Sequence, residues 1–298
     1  MCVFSLLIYL SSYLYGGSFD TENAGASSWK TSSSVYADHA GLPMWCSFKG
    51  IKCGLDSVRL DYKRVLSISL SFNGLEGNLT SLGSLSEMTD LDVGNNKLSG
   101  SIPQSFFHMP KLQFINLNNN QLKGSIPTFT PLNSRLIGLT MNNNLLEGTI
   151  PESMSMLTGL QSLQLNDNAF VGTIPSALGE MKSLNALYLN SNSLTGTIPS
   201  ILRILFKLKT LYLDSNLLTG TIPVLDQTSL RSVILSANYL TMGSLKEVPL
   251  STFSASALAM DIVLQSNCLV FRNPSKPSQD VTATHCRGEQ VPRNICCL

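Results

Sequence analysis

From residue 65 to residue 240 the apolar and polar positions follow one short scheme, written again and again. Leu163 and Leu165 alternate with Gln164 and Asn166, a period of two that predicts a short strand with one buried face. Each such strand runs into an asparagine: Asn73, Asn96, Asn120, Asn144, Asn168, Asn192, Asn216 and Asn238, at spacings of 23, 24, 24, 24, 24, 24 and 22. Four residues beyond the first seven come Gly77, Gly100, Gly124, Gly148, Gly172, Gly196 and Gly220. Ile-Pro then recurs at 102–103, 126–127, 150–151, 174–175, 198–199 and 222–223. A fixed period of this length marks a solenoid of stacked units.

Each unit reads Leu-x-Leu-x-x-Asn-x-Leu-x-Gly-x-Ile-Pro, and each position has a physical task. Asn168 ends its strand where the chain bends inward. Its amide both donates and accepts, so it can satisfy buried backbone groups and form a ladder with Asn144 and Asn192. Gly172 permits a tight corner. Pro175 opens a short helical turn carrying Leu178 and Met181, and Leu184 leads back to the next strand. One unit cannot bury its apolar face alone. Stacking buries a continuous core, lines the strands into a parallel sheet, and leaves sheet edges that caps must cover. Ile262, Leu264, Asn267 and Leu269 restore the pattern in a degenerate ninth unit, with an insertion expected over 243–258.

Composition adds the compartment. The seven cysteines lie at the ends, at Cys2, Cys46, Cys53, Cys268, Cys286, Cys296 and Cys297. That distribution suits disulfide-stapled caps in an oxidising compartment. Residues 1–14 form a short apolar run followed by Gly16, Gly17 and Ser18, which fits the core of a secretory signal. No other apolar run reaches the ~18 residues that span a bilayer. Membrane association would therefore run through the N-terminal segment or a co-receptor. Without Cys2, six cysteines remain whose pairing the sequence leaves open. Cys296-Cys297 could pair between chains, pair within the cap, or be acylated. The expected organisation is a signal peptide at 1–18, an N-terminal region and cap at 19–64, repeats 1–8 at 65–250, and the ninth repeat with a C-terminal cap at 251–298. Lys and Arg number 20 against 19 Asp and Glu, which argues against nucleic acid as a partner.

These repeats resemble the plant-type leucine-rich-repeat family of receptor-like kinase ectodomains, polygalacturonase-inhibiting proteins and surface antigens of protists. Leu-x-Gly-x-Ile-Pro is the feature that distinguishes that family. Cys46-Ser-Phe-Lys-Gly-Ile-Lys-Cys53 resembles its N-terminal cap, and Asn267-Cys268 through Cys286 its paired-cysteine closing cap. The resemblance covers about residues 44–286. It implies disulfides involving Cys46, Cys53, Cys268 and Cys286. It also implies an α/β repeat solenoid: a right-handed superhelix with a concave parallel β-sheet, an extra strand layer beside it, short convex helical or 3-10 turns, and disulfide caps. Two features depart from the plant members. Residues 17–44 lack a Leu-rich helix, and the array is short for a receptor ectodomain.

No catalytic signature accompanies the repeats. His39, His108 and His285 are scattered, and no phosphate loop, nucleophile elbow or metalloprotease helix is present. No enzyme activity, cofactor or metal is expected. Asn78-Leu79-Thr80 is a glycosylation sequon. The chemistry that remains lies on the outward strand positions, from Asp90, Asp92, Gly94 and Asn95 through Asp167, Ser191 and Ser215 to Ala237. Tyr188 and Tyr212 fall one repeat apart, ~5 Å from each other by strand spacing, beside Asn190 and Asp214. With Gln164, Asn166, Phe114 and Asn116 they form the candidate ligand-binding set, since aromatics rimmed by polar groups are enriched at protein interfaces. The competing reading is ordinary strand decoration, because aromatics favour strands and pair across them. The expected function is a non-catalytic extracellular or cell-surface recognition module for a protein, peptide or glycan. The alternatives are an ectodomain-like relative of a membrane receptor kinase and an inhibitor of secreted hydrolases.

Overall fold

The protein, seen in a computed structural model, is described over residues 49–55, 63–130, 135–225, 229–241 and 261–263. It divides into two units at Leu145/Leu146. Each is built from the predicted repeat, with a strand, a bend at asparagine, a second short strand through the glycine, and a 3-10 turn.

In the first unit, β1 (Ile51–Leu55) runs antiparallel to β2 (Lys63–Ser69). Parallel pairing then follows from β2 to β4 (Asp90–Asp92), β6 (Phe114–Asn116) and β8 (Gly138–Thr140). β1 thus covers the edge that a bare stack would expose. Beside this sheet runs a second, formed by β3 (Glu76–Gly77), β5 (Lys97–Gly100) and β7 (Gln121–Gly124).

In the second unit the main sheet contains β10 (Ser162–Gln164), β12 (Ala186–Tyr188), β14 (Thr210–Tyr212), β16 (Ser232–Ile234) and β18 (Asp261–Val263), all parallel. Its side layer joins β9 (Leu145–Thr149), β11 (Ala169–Thr173) and β13 (Ser193–Thr195), and separately β15 (Thr219–Thr221) and β17 (Tyr239–Thr241). The register reproduces the asparagine spacing. Leu163 faces Leu187 and Leu187 faces Leu211. Val233 faces Ile262, so the expected ninth strand is present; the rest of that unit and residues 243–258 lie outside the described residues. So do residues 1–48, including Cys2 and Cys46, and likewise Cys268, Cys286, Cys296 and Cys297.

In each unit the core is built of layers that repeat one pattern of apolar side chains. Leu163, Leu165, Phe170, Ile174, Leu178, Met181 and Leu184 fill one layer, none more than 3% exposed. Burying each such side chain contributes about 1.5–3 kcal/mol, and the neighbouring layers supply the surfaces that bury them. The turns are 3-10 helices: Ser176–Glu180 follows Pro175, Ser200–Ile204 follows Pro199, Glu152–Met156 follows Pro151 and Gln104–His108 follows Pro103. Each proline is the extended residue just before the turn rather than its first helical residue. One turn of 3-10 helix spans the distance between layers with few residues.

The asparagines bond differently from the expected ladder. Asn216 Nδ2 donates to the carbonyls of Leu189, Leu213 and Asp214 at 3.0, 3.1 and 3.2 Å, while its Oδ1 accepts the Leu194 N–H at 3.0 Å. Asn192 repeats this with Leu165, Leu189, Asn190 and Phe170. The ladder therefore runs from side chain to backbone, tying each bend to the preceding layer, because the turning backbone leaves unpaired groups that only an amide satisfies on both sides. The residue before each asparagine is left-handed: Phe72, Asn95, Asn119, Asn143, Asp167, Ser191, Ser215 and Ala237 have φ between 50 and 59°. Asparagine and aspartate tolerate this conformation, whereas Phe72 and Ala237 are strained there.

Replacing Asn216 by Ala strands the Leu194 N–H and takes one of two donors from the carbonyls of Leu189, Leu213 and Asp214, which keep Asn192 Nδ2, Asn238 Nδ2 and the Ser191 N–H, while removing a packed side chain from the bend. We expect a loss of about 1–3 kcal/mol, read as faster hydrogen exchange at the Leu194 amide. Ala237→Gly removes the Cβ penalty and raises stability by about 0.5–1 kcal/mol in denaturant titration.

Candidate functional site

Outward side chains of the main sheets are half-exposed and evenly spaced, because the strand pleat sends every second residue away from the core. In the second unit Tyr188 and Tyr212 face each other in register. Their rings meet edge to face, with centroids 5.1 Å apart and planes at 88°, the geometry that the aromatic quadrupole favours. The Ser232 hydroxyl lies 3.2 Å from the Tyr212 hydroxyl. Pairing fixes both rings, so a ligand would lose little side-chain entropy in ordering them.

Two residues further along the chain stand Asn190 and Asp214. Partial burial pushes the Asp214 carboxyl above its usual range; its own backbone amide acts in the opposite sense, and the Asp167 carboxylate pushes it up further. Asp167 accepts a 2.6 Å bond from Asn166 Nδ2. Gln164 lies against Ser162, with Nε2 3.4 Å from its hydroxyl. The structure therefore brings together Gln164, Asn166, Tyr188, Asn190, Tyr212 and Asp214 on the sheet of the second unit. Asp167 was missed as a member. Its signal was present in the sequence, since it is the only acidic residue in the left-handed column that ends with Ala237.

Phe114 and Asn116 belong to the first unit. Phe114 is 44% exposed, and its ring covers Gly138, whose missing side chain leaves it room. Asn116 is committed internally: Nδ2 donates to Asp92 Oδ1 at 2.9 Å and Oδ1 accepts the Asn118 N–H at 3.2 Å. Gly94, read from the alternation as an outward position, is buried under the Asn118 and Asn116 amides. Asn118 Oδ1 and Asn142 Oδ1 are buried without a hydrogen-bond partner among the described residues.

Elsewhere, Asn78 is exposed and its Oδ1 accepts the Thr80 N–H at 3.1 Å. His108 ends the Gln104–His108 turn. Cys53, on β1, is disulfide-bonded. Among the described residues no helix is long and apolar enough to cross a membrane, and no three His, Cys, Asp or Glu side chains gather as a metal site.

The repeat is matched by family models described as leucine-rich repeat, over residues 63–122 and over 159–181, 183–205 and 207–225. No curated protein matches the sequence significantly. Among solved structures, the Arabidopsis receptor kinase HAESA, in complex with the peptide hormone IDA and the co-receptor SERK1, is 31% identical over 67% of this chain and 33% of its own, with a TM-score of 0.59. The GASSHO1/SCHENGEN3 ectodomain from Arabidopsis thaliana, in complex with CASPARIAN STRIP INTEGRITY FACTOR 2, is 26% identical over 91% of this chain and 36% of its own, with a TM-score of 0.63. A plant ice-binding protein shares the fold at 24% identity over 77% of this chain and 79% of its own, with a TM-score of 0.58. The chain spans between 33% and 39% of the length of the first receptor ectodomains it matches.

The raised Asp214 carboxyl favours the protonated form in the folded state, so its ionisation near neutral pH costs stability that is restored as pH falls through the carboxylate range. Asp214→Asn should raise Tm at pH 7 by up to about 2 °C, a value discounted for solvent screening. The gain should shrink in scans at pH 3.

Proposed function

We propose that this chain, which belongs to the leucine-rich-repeat family and carries its plant-type extracellular repeat, is a non-catalytic recognition module that binds a protein or peptide on its strand face. The observation that carries this reading is the Tyr188–Tyr212 pair. Two large rings, pre-set by strand pairing and ringed by amides and hydroxyls, supply contact area at low entropic cost. That combination makes tyrosine frequent in binding hot spots. Likeness to a receptor kinase solved with a peptide hormone supports a peptide or protein over a glycan.

An extracellular or cell-surface location belongs to the same proposal. It draws support from the disulfide at Cys53 and from the receptor ectodomains that the chain resembles. In that setting Asn78, exposed within its sequon, would carry an N-linked glycan.

The test compares capture of extracellular proteins by the wild-type chain and by Tyr188→Ala/Tyr212→Ala. Both rings face outward, so the variant keeps its core, which hydrogen exchange at the Leu187 and Leu211 amides verifies. The captured partner should bind the variant about a hundredfold more weakly. An unchanged affinity would remove the strand face from the binding surface.

A further inference from the structure

We propose that the sheet face of the second unit receives an extended peptide segment bearing a basic side chain, whose cationic head lies at Asp167 and Asp214 beside the tyrosine pair. The inference rests on the reading of this face as a peptide surface and adds the chemistry of the ligand.

Charge complementarity carries it. On the outward positions of β10, β12, β14 and β16, and of the bends that follow them, the only charged residues are Asp167 and Asp214; no Lys or Arg stands among them. The ion pairs of the described residues join Lys97 to Glu76, Lys111 to Glu87 and Lys182 to Glu180, so neither aspartate is neutralised by any of them. Asp214 is partly desolvated, and Asp167 stands on the same face two repeats before it, with β12 between their strands. A face that carries two negative charges and no positive one is complementary to a ligand that brings a cation. The equivalent positions in neighbouring repeats hold uncharged residues, with Asn166 and Asn190 matching Asp214, and Asn143 and Ser191 matching Asp167. Asparagine meets every scaffold demand there, including the left-handed backbone at Asn143 and Asp167. The fold therefore does not require these carboxylates.

The aromatic pair completes the chemistry. Tyr212 stands two residues before Asp214, about 6.6 Å along an extended chain. A guanidinium or ammonium group reaching the carboxylates therefore lies near a ring that attracts cations. Crossing β10 to β16 covers about 14 Å at ordinary strand spacing, the reach of about four extended residues. A short segment can thus bring an apolar side chain to the rings and a basic one to the aspartates together.

The test is selection from a random-peptide display library on the full chain, on Asp167→Asn/Asp214→Asn and on Tyr188→Ala/Tyr212→Ala. Because asparagine restores the residue type of neighbouring repeats, the first variant keeps the fold, which an undiminished Tm checks. Wild-type selections should be enriched in Arg or Lys, and the asparagine variant should lose that bias while still selecting aromatic or apolar peptides. For a selected peptide, replacing its basic residue by norleucine should weaken wild-type binding about tenfold and leave binding to the asparagine variant unchanged. Selected peptides without basic enrichment, lost on the tyrosine variant, would overturn the cation site and leave the peptide surface standing. Basic enrichment that persists in the asparagine variant would overturn it as well. No selection by the wild-type chain would remove the peptide surface, and the cation site with it.

Discussion

One asparagine amide per repeat, buried or half-buried from Asn96 to Asn238, holds this architecture together. Where the chain leaves its strand and turns inward, carbonyls and an N–H of two layers have hydrogen-bonding capacity that the strand ladder does not fill. The asparagine side chain supplies donors to the carbonyls and an acceptor to the N–H at once. Aspartate lacks the donors and leucine lacks both. At Asn192 and Asn216 the same four contacts recur with nearly the same lengths. The left-handed residue before each asparagine, the glycine corner and the 3-10 turn all follow from setting that amide at the bend.

This constraint divides each repeat into positions the fold dictates and positions it leaves open. Inward leucines and the asparagine are dictated by packing and by backbone satisfaction. Outward strand residues are held as rigidly by the same pairing, yet the core takes no part in their identity. Function can therefore vary there without cost to the scaffold. The second unit shows both sides of this freedom. Tyr188 and Tyr212 occupy positions where other repeats carry Asn116, Thr140 or Gln164, and Asp167 and Asp214 stand where asparagine or serine serves the fold equally well.

The sequence was most legible where a period could be counted. Spacings of 24 between asparagines became the register of neighbouring strands, and Ile262 met Val233 as the degenerate ninth unit required. Alternation alone misjudged Gly94. A pleat assigns it to the outer face, but the amides of longer neighbours close over a residue without a side chain. The candidate set also divided, because Phe114 and Asn116 belong to one unit and the tyrosine pair to the other. Asn116 further turned out to be occupied by Asp92 and Asn118.

The chain by itself determined the solenoid, the period, the core residues, the parallel sheet and the place of the tyrosines on its outer face. All of these depend on which residues recur at which interval, and one repeating pattern of buried and exposed side chains admits one way of stacking. Only the tertiary structure decided where each asparagine sends its hydrogen bonds, that the two rings meet edge to face, and that Asp214 is partly buried on that face. Those are matters of angle and distance between side chains on different repeats. A linear pattern records that they share a face, while the rotamers and electrostatics that join them arise only once the layers are packed.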